Sequence, residues 1–254
     1  MLYTRNMMDK INQKFTPAQD TKIARYMGFD KFKLLVENKN LWLANGKNFM
    51  DKSEGAIPES FFTEWETQSI EDYKTMHKLK SNIYSAYVSC WFEYERESEP
   101  MWLAYGGINN NGTRDSNGVC IITDVNKLYE FTKYIDAKIY RVKYIEYTDN
   151  LKLETELPPF YYIKQAVGDV SITHCERVFF SYKQKEYQSE NEIRAVTYRN
   201  SKKDGVLATI IPEEFIDSII INPHATEEQR KNIVDYLKKN HLERKLIDSK
   251  IICK

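Results

Sequence analysis

The stretch Tyr187-Gln188-Ser189-Glu190-Asn191-Glu192-Ile193-Arg194 decides how this chain is read. Side chains alternate with a period of two along a strand. Read as extended from Glu190 to Tyr198, the segment puts Glu190, Glu192 and Arg194 on one face and Asn191, Ile193 and Ala195 on the other. Two carboxylates and a guanidinium in a row are costly on a buried face unless they serve one another or a ligand. The segment is therefore either the chemical centre of the protein or a solvated edge strand with charge pairing between alternate residues.

Outward from it, Lys22 to Met27 reads as a short first strand or turn, and further strands are expected at Leu41 to Ala44, Tyr84 to Phe92, Val119 to Ile122, Ile139 to Tyr147, Glu176 to Ser181, Ser218 to Ile221 and Leu246 to Ile252. Helices come singly between them. Asp30 to Glu37 carries Phe32, Leu35 and Val36 on one face, and Pro58 opens a segment in which Phe61, Phe62, Trp65, Tyr73 and Met76 recur at roughly helical spacing. Pro100 to Tyr105 reads as one helical turn, and Asp124 is placed to cap a helix bearing Leu128, Tyr129 and Phe131. Thr226 with Gln229 forms a capping box before the stripe Ile233, Val234 and Leu237. Segments 45–55 and 106–118 are loop-like. Strands mostly follow one another, so the expected class is α+β with mixed, mainly antiparallel sheets, not a doubly wound parallel sheet. One domain over 1–254 is expected, with the C-terminal helix and strand at 224–254 following the core.

Composition sets limits. Of 254 residues, 42% are hydrophobic and 13% aromatic, with 18 Tyr, enough for a sizeable core and for a flat ligand slot. Lys plus Arg and Asp plus Glu stand at 37 each, so there is no large basic field to steer nucleic acid, although a local patch would be hidden in that total. The basic residues from Arg230 to Lys254 are interrupted by acids and read as a solvated helix face. Cys90, Cys120, Cys175 and Cys253 form no CxxC, the four histidines form no ligand pair, and no metal site is expected. Cys90 and Cys120 read as buried free thiols. The first residues lack an apolar core of signal-peptide length and no run approaches membrane-spanning length, so a reduced cytoplasm is the expected location, with no membrane partner. No P-loop, GxGxxG, GxSxG or HExxH occurs.

Several phrases of the chain occur together in one bacterial family. One is Asn48-Phe49-Met50-Asp51-Lys52-Ser53-Glu54-Gly55, in which Met50 and Lys52 replace the usual Asn and Pro. Others are Val88-Ser89-Cys90-Trp91 followed by Met101-Trp102 and Ala104-Tyr105, then Gly118-Val119-Cys120-Ile121, and finally Tyr187 to Arg194, with Tyr187 where Trp is common. Over about residues 22–223 the chain resembles the bacterial family known as domain of unknown function 2971, a name that implies no settled function. It is also similar, more remotely, to the ADP-ribosyltransferase superfamily. That superfamily has an Arg or His on the first strand, a Ser or Tyr on a middle strand, and Glu-x-Glu or a lone Glu late in the chain. Arg25-Tyr26, Ser89 and Glu190-Asn191-Glu192 stand in that order here.

This resemblance implies an ADP-ribosyltransferase-like single domain that consumes NAD as substrate. The context it implies is a toxin or antiphage effector acting on a protein or nucleic acid, with an antitoxin or other regulatory protein as a further partner. Cleavage of the nicotinamide–ribose bond passes through an oxocarbenium-like state, the charge problem also met in glycoside cleavage. Glu192 is the candidate to stabilise that charge, and Glu190 to orient or deprotonate the acceptor. A planar, permanently charged donor suits a pyrophosphate, which selects Arg25, and Arg194 is taken as a second cofactor contact. Tyr26, Trp102 or Tyr105 would form the nicotinamide slot, and Ser89 would bond the ribose or orient Glu192. Competing readings stay open: Arg25 paired with Asp20 or Asp30, Ser89 facing water, Trp102 and Tyr105 as core, and Asp51 and Glu54 bracing their loop. Two other functions compete. One is a non-catalytic module that binds a ligand or partner. The other is a magnesium-dependent nuclease using Asp51, Glu54, Glu190 and Glu192.

Overall fold

A computed structural model describes residues 15–49, 54, 85–107, 115–146, 180, 182–201 and 203–251. The expected helix after Pro58, residue Asp51 and most of the expected strand Glu176 to Ser181 lie outside them. In chain order the elements are β1 (Lys22–Gly28), α1 (Phe29–Asn38), β2 (Asn40–Asn45), β3 (Ala86–Glu93), α2 (Glu99–Tyr105), β4 (Gly118–Asp124) and α3 (Val125–Thr132). There follow β5 (Lys138–Arg141), β6 (Lys143–Ile145), β7 (Tyr182–Gln184), β8 (Glu192–Tyr198) and β9 (Gly205–Thr209). The chain closes with α4 (Pro212–Phe215), β10 (Ser218–Ile221), α5 (Glu227–Lys239) and β11 (Leu246–Ile247). All paired strands are antiparallel except β10 with β11 and β6 with β7 among those whose register is described. The class is α+β with mixed, mainly antiparallel pairing, as the strand-after-strand pattern predicts.

The chain divides into two compact units, one of Met1–Pro17, Leu43–Ser89 and Ile135–Val206, the other of Ala18–Trp42, Cys90–Tyr134 and Leu207–Lys254. In the second unit β4 pairs antiparallel with both β1 and β10, with Tyr26 and Ile220 each opposite Cys120. These facing side chains build a core of Ala24, Tyr26, Met101, Trp102, Cys120, Ile122 and Ile220. Helix α1 buries Phe29, Phe32, Leu35 and Val36, and Tyr236 of α5 meets the rings of Phe29 and Phe32 edge-on. Helix α5 begins at the expected capping box: Thr226 Oγ1 accepts from the Gln229 N–H, and the Gln229 side chain accepts from the Thr226 N–H. Asp124 caps α3 by accepting from the Lys127 N–H.

In the first unit β8 lies between β3 and β5, so both of its edges are bonded. Tyr140 stands opposite Arg194 across the β5–β8 pair, and Ala44 stands opposite Val88 across β2–β3. Residues Glu192 to Thr197 are all buried. The solvated-edge alternative for this segment is thereby overturned.

Other expectations need correction. The single strand expected from Ile139 to Tyr147 is interrupted at Val142: up to there the chain runs beside β8, the Val142 N–H donating to the Glu192 carbonyl in the same register, and beyond it β6 pairs with β7. Strand β9 and helix α4 were not anticipated. Strand β11 spans two residues rather than the expected seven. Cys120 is a buried free thiol, but Cys90 is half-buried. Strand β8 begins at Glu192, not Glu190. Residues Lys185–Glu190 form a 3-10 helix, and Asn191 ends it in the left-handed region at φ 37°.

Candidate functional site

The start of β8 gathers five charged side chains within the first unit. Arg194 reaches back along its own strand to Glu192. Its Nε donates to Glu192 Oε2 at 2.6 Å and its Nη2 to Glu192 Oε1 at 3.0 Å. The same Nη2 donates to Glu54 Oε2 at 2.6 Å, while Nη1 donates to the Phe180 carbonyl at 3.2 Å. The guanidinium is fully buried and lies 5.9 Å from the centre of the Phe49 ring. A planar fork of donors can serve two carboxylates and a carbonyl together.

Lys183 from β7 completes the cluster. Its Nζ donates to Glu190 Oε2 at 2.6 Å and to Glu192 Oε1 at 2.7 Å, and stands 3.3 Å from Glu54 Oε1. The ammonium also lies 4.6 Å from the centre of the Tyr187 ring. Three carboxylates thus surround two cations. Tyr144 from β6 fixes the backbone beneath them, its hydroxyl accepting from the Glu192 N–H at 2.8 Å.

The two candidate carboxylates sit in different environments. Glu192 is 4% exposed. Burial works against its charge, but the Arg194 guanidinium beside it and Lys183 outweigh burial and hold its carboxyl well below the usual carboxylate range. Glu190 is the most open carboxylate of the three, with 17% of its side chain exposed. Burial first, and a hydrogen bond shared with Glu192 second, push its carboxyl up to about 7, against the pull of Lys183. Neighbouring carboxyls with separated affinities for the proton are the pattern by which one site holds a base and a charge stabiliser.

Glu190, Glu192 and Arg194 therefore come together, but not by sharing a strand face, because the turn at Asn191 brings Glu190 round to Lys183. Glu54 joins them from the loop in which it was read as a brace. The Lys183 ammonium stands between Glu190 and Glu192, where the nuclease reading would need its dication. Lys183 was missed, since a lysine between Tyr182 and Gln184 reads as solvated. No local pattern in the sequence marks it, since its burial comes from partners on other segments.

Ser89 lies on β3 and is fully buried, which overturns its water-facing alternative. The remaining candidates belong to the second unit. Arg25 lies on β1 with its guanidinium 5.8 Å from the centre of the Trp91 ring. Asp30, one of its suggested partners, pairs with Lys33. Tyr26 and Trp102 are buried edge-to-face at 4.8 Å. The Tyr26 hydroxyl accepts from the Ser98 N–H, and Trp102 Nε1 donates to Glu97. Tyr105 is 38% exposed.

Among solved structures, the chain is similar to that of Thermus sp. 2.9 DarT in complex with ADP-ribosylated ssDNA, with a TM-score of 0.37 and 10% identity, over 92% of this chain and 95% of that one. No curated protein matches the chain. No helix among the described residues is long and apolar enough to cross a membrane. Residues 101–195, which run from α2 into β8 and contain Lys183, Glu190, Glu192 and Arg194, match the model of the family described as protein of unknown function (DUF2971).

Proposed function

We propose that this protein is an ADP-ribosyltransferase-like enzyme that consumes NAD and transfers ADP-ribose to a protein or nucleic-acid acceptor. The supporting observation is the unequal carboxylate pair, one buried and ionised, the other more open with its carboxyl raised to about 7. In the proposed step the nicotinamide–ribose bond breaks with its electron pair leaving on nicotinamide. Positive charge then develops on the ribose. Three carboxylates against two cations leave one net negative charge when Glu190 is ionised, which favours that state. An acceptor hydroxyl or amine forms the new bond to the ribose carbon and gives its proton to Glu190. Glu192 supplies the fixed charge, and Arg194 and Lys183 keep it ionised. Of the expected NAD contacts, Ser89 and Arg194 lie in the same unit as this pair and belong to the proposal. An effector role under the control of a regulatory partner belongs to the same proposal.

One observation favours a second reading, the non-catalytic binding module. Both Glu192 oxygens are already engaged by Arg194 and Lys183, as in a cluster that serves only to organise the fold. Incubation with NAD and cell lysate, following nicotinamide release, separates the two. The transferase reading expects release by the wild type and a loss on the order of 100-fold or more in Glu192→Gln at unchanged fold. No release from either, with no NAD-induced rise in melting temperature, would leave the binding module.

A further inference from the structure

We infer that Lys183 is a positioning residue for Glu190, aiming that carboxylate beside Glu192 and favouring its ionised form. This rests on the proposed transferase reading for its chemical purpose, but on geometry for its substance. Glu190 is the last residue of a 3-10 helix and precedes a left-handed residue, so its carboxylate is not placed by a strand. The strong contact described for it is the 2.6 Å donation from Lys183 Nζ. Lys183 is itself held from several sides. Glu192 accepts at 2.7 Å, Glu54 stands at 3.3 Å, and the Tyr187 ring lies over the ammonium at 4.6 Å. At 5% exposure the ammonium cannot swing into water without breaking these contacts.

Among the described residues, the charged and titratable groups of the cluster around Glu190 include Lys183 from β7, Tyr187 from its own 3-10 helix, Glu192 and Arg194 from β8, Tyr144 from β6, and Glu54. Arg194 is spent on Glu192, Glu54 and the Phe180 carbonyl. That leaves Lys183 as the cation in direct contact with Glu190 among these groups. A carboxylate loses affinity for protons when an opposite charge is this near. Removing the ammonium takes away that attraction and leaves the repulsion from Glu192 in place. An acceptor proton would then have no ionised base to receive it near neutral pH.

The test is the titration of the Glu190 side-chain carboxyl by NMR in protein carrying labelled glutamate, assigned with Glu190→Gln. It needs no substrate, so it is independent of whether NAD is consumed. In Lys183→Met the Glu190 midpoint is expected to rise by about one pH unit or more, and in Lys183→Arg to stay within about half a unit. Lys183→Met combined with Glu54→Gln removes one carboxylate along with the cation, and serves if the single variant does not fold. A Glu190 midpoint that does not move in whichever of the two variants folds would overturn the inference. Where the wild type releases nicotinamide, the acid limb of its pH–rate profile should rise in parallel in Lys183→Met, costing roughly 10-fold in rate one unit below the new midpoint. An unshifted limb overturns the inference equally. A wild type that leaves NAD intact overturns the transferase reading instead, and the titration still decides the role of Lys183.

Discussion

Arg194 and Glu192, two residues apart on β8, are joined by two hydrogen bonds of 2.6 and 3.0 Å inside the protein. Neighbours on one strand face rarely meet so closely in the interior, because each charge must first leave water. Here the guanidinium brings enough donors to satisfy Glu54 and a backbone carbonyl as well.

Arg194→Lys tests that geometry. An ammonium keeps the charge but lacks the fork, and cannot reach both Glu192 oxygens, Glu54 and the Phe180 carbonyl at once. The expected loss is about 2–4 kcal/mol, read from the urea midpoint at constant slope. A loss below about 1 kcal/mol would show that charge alone suffices.

The pH dependence of stability carries the signature of the unequal pair. Glu190 goes from an ordinary value of 4.5 to about 7 on folding, so between those values the folded state holds the additional proton. Its contribution is greatest below that window and declines as pH rises through it. Glu192 acts in the opposite sense: its carboxyl is held below 4.5, so its stabilisation is complete above that value and is lost as pH falls below it. Glu190→Gln should therefore gain on the order of 1–2 kcal/mol on the wild type between about pH 5 and pH 7.5, after allowance for the solvent around Glu190. Parallel urea-midpoint profiles for the two proteins would contradict this.

Gly118 opens β4 where two backbones nearly touch. A Cβ there would lie 1.4 Å from the Gly106 carbonyl oxygen and 2.8 Å from that of Met27. Neither atom is the end of a flexible side chain. Gly118→Ala is expected to cost about 2 kcal/mol or more and to lower the melting temperature accordingly. A melting curve equal to that of the wild type would show that the strand start shifts freely.

Thr226→Ala removes one half of the reciprocal cap on α5. The expected cost is about 1 kcal/mol, visible as a lower urea midpoint, with Thr226→Ser recovering most of it. No recovery in Thr226→Ser would mean that the methyl group, not the hydroxyl, is what matters.

Where local chemistry decides structure, the sequence was legible. The cap at Thr226 and Gln229, the Asp124 cap, the stripe on α1 and the apolar run of β4 each carry their signal within a few residues. Strand β9 does not. Its residues Gly205 to Thr209 lack clear alternation, and a hydrogen bond from the Asn45 N–H to the Asp204 carbonyl, far away in sequence, marks where it begins. The break at Val142 likewise depends on a change of partner strand, from β8 to β7, which no local pattern names. In the candidate site, the Glu190, Glu192 and Arg194 text was visible. Glu54 enters the sequence reading only as a loop brace or a magnesium ligand and Lys183 not at all, because what assigns them is burial beside charges 9 and 140 residues away, the separations of the Lys183–Glu192 and Glu54–Arg194 pairs.

The left-handed backbone of Asn191 gives the two acids their separate identities. In a regular strand the same Glu-x-Glu text would offer two equivalent side chains, exchangeable in role. One positive dihedral takes Glu190 off the strand and leaves Glu192 on it. Asymmetry between a partly open acid and a closed one is thus written in the main chain, at a residue that carries no charge. An exchange of Asn191 for a β-branched residue, which resists that conformation, would make the pair symmetrical without touching either carboxylate.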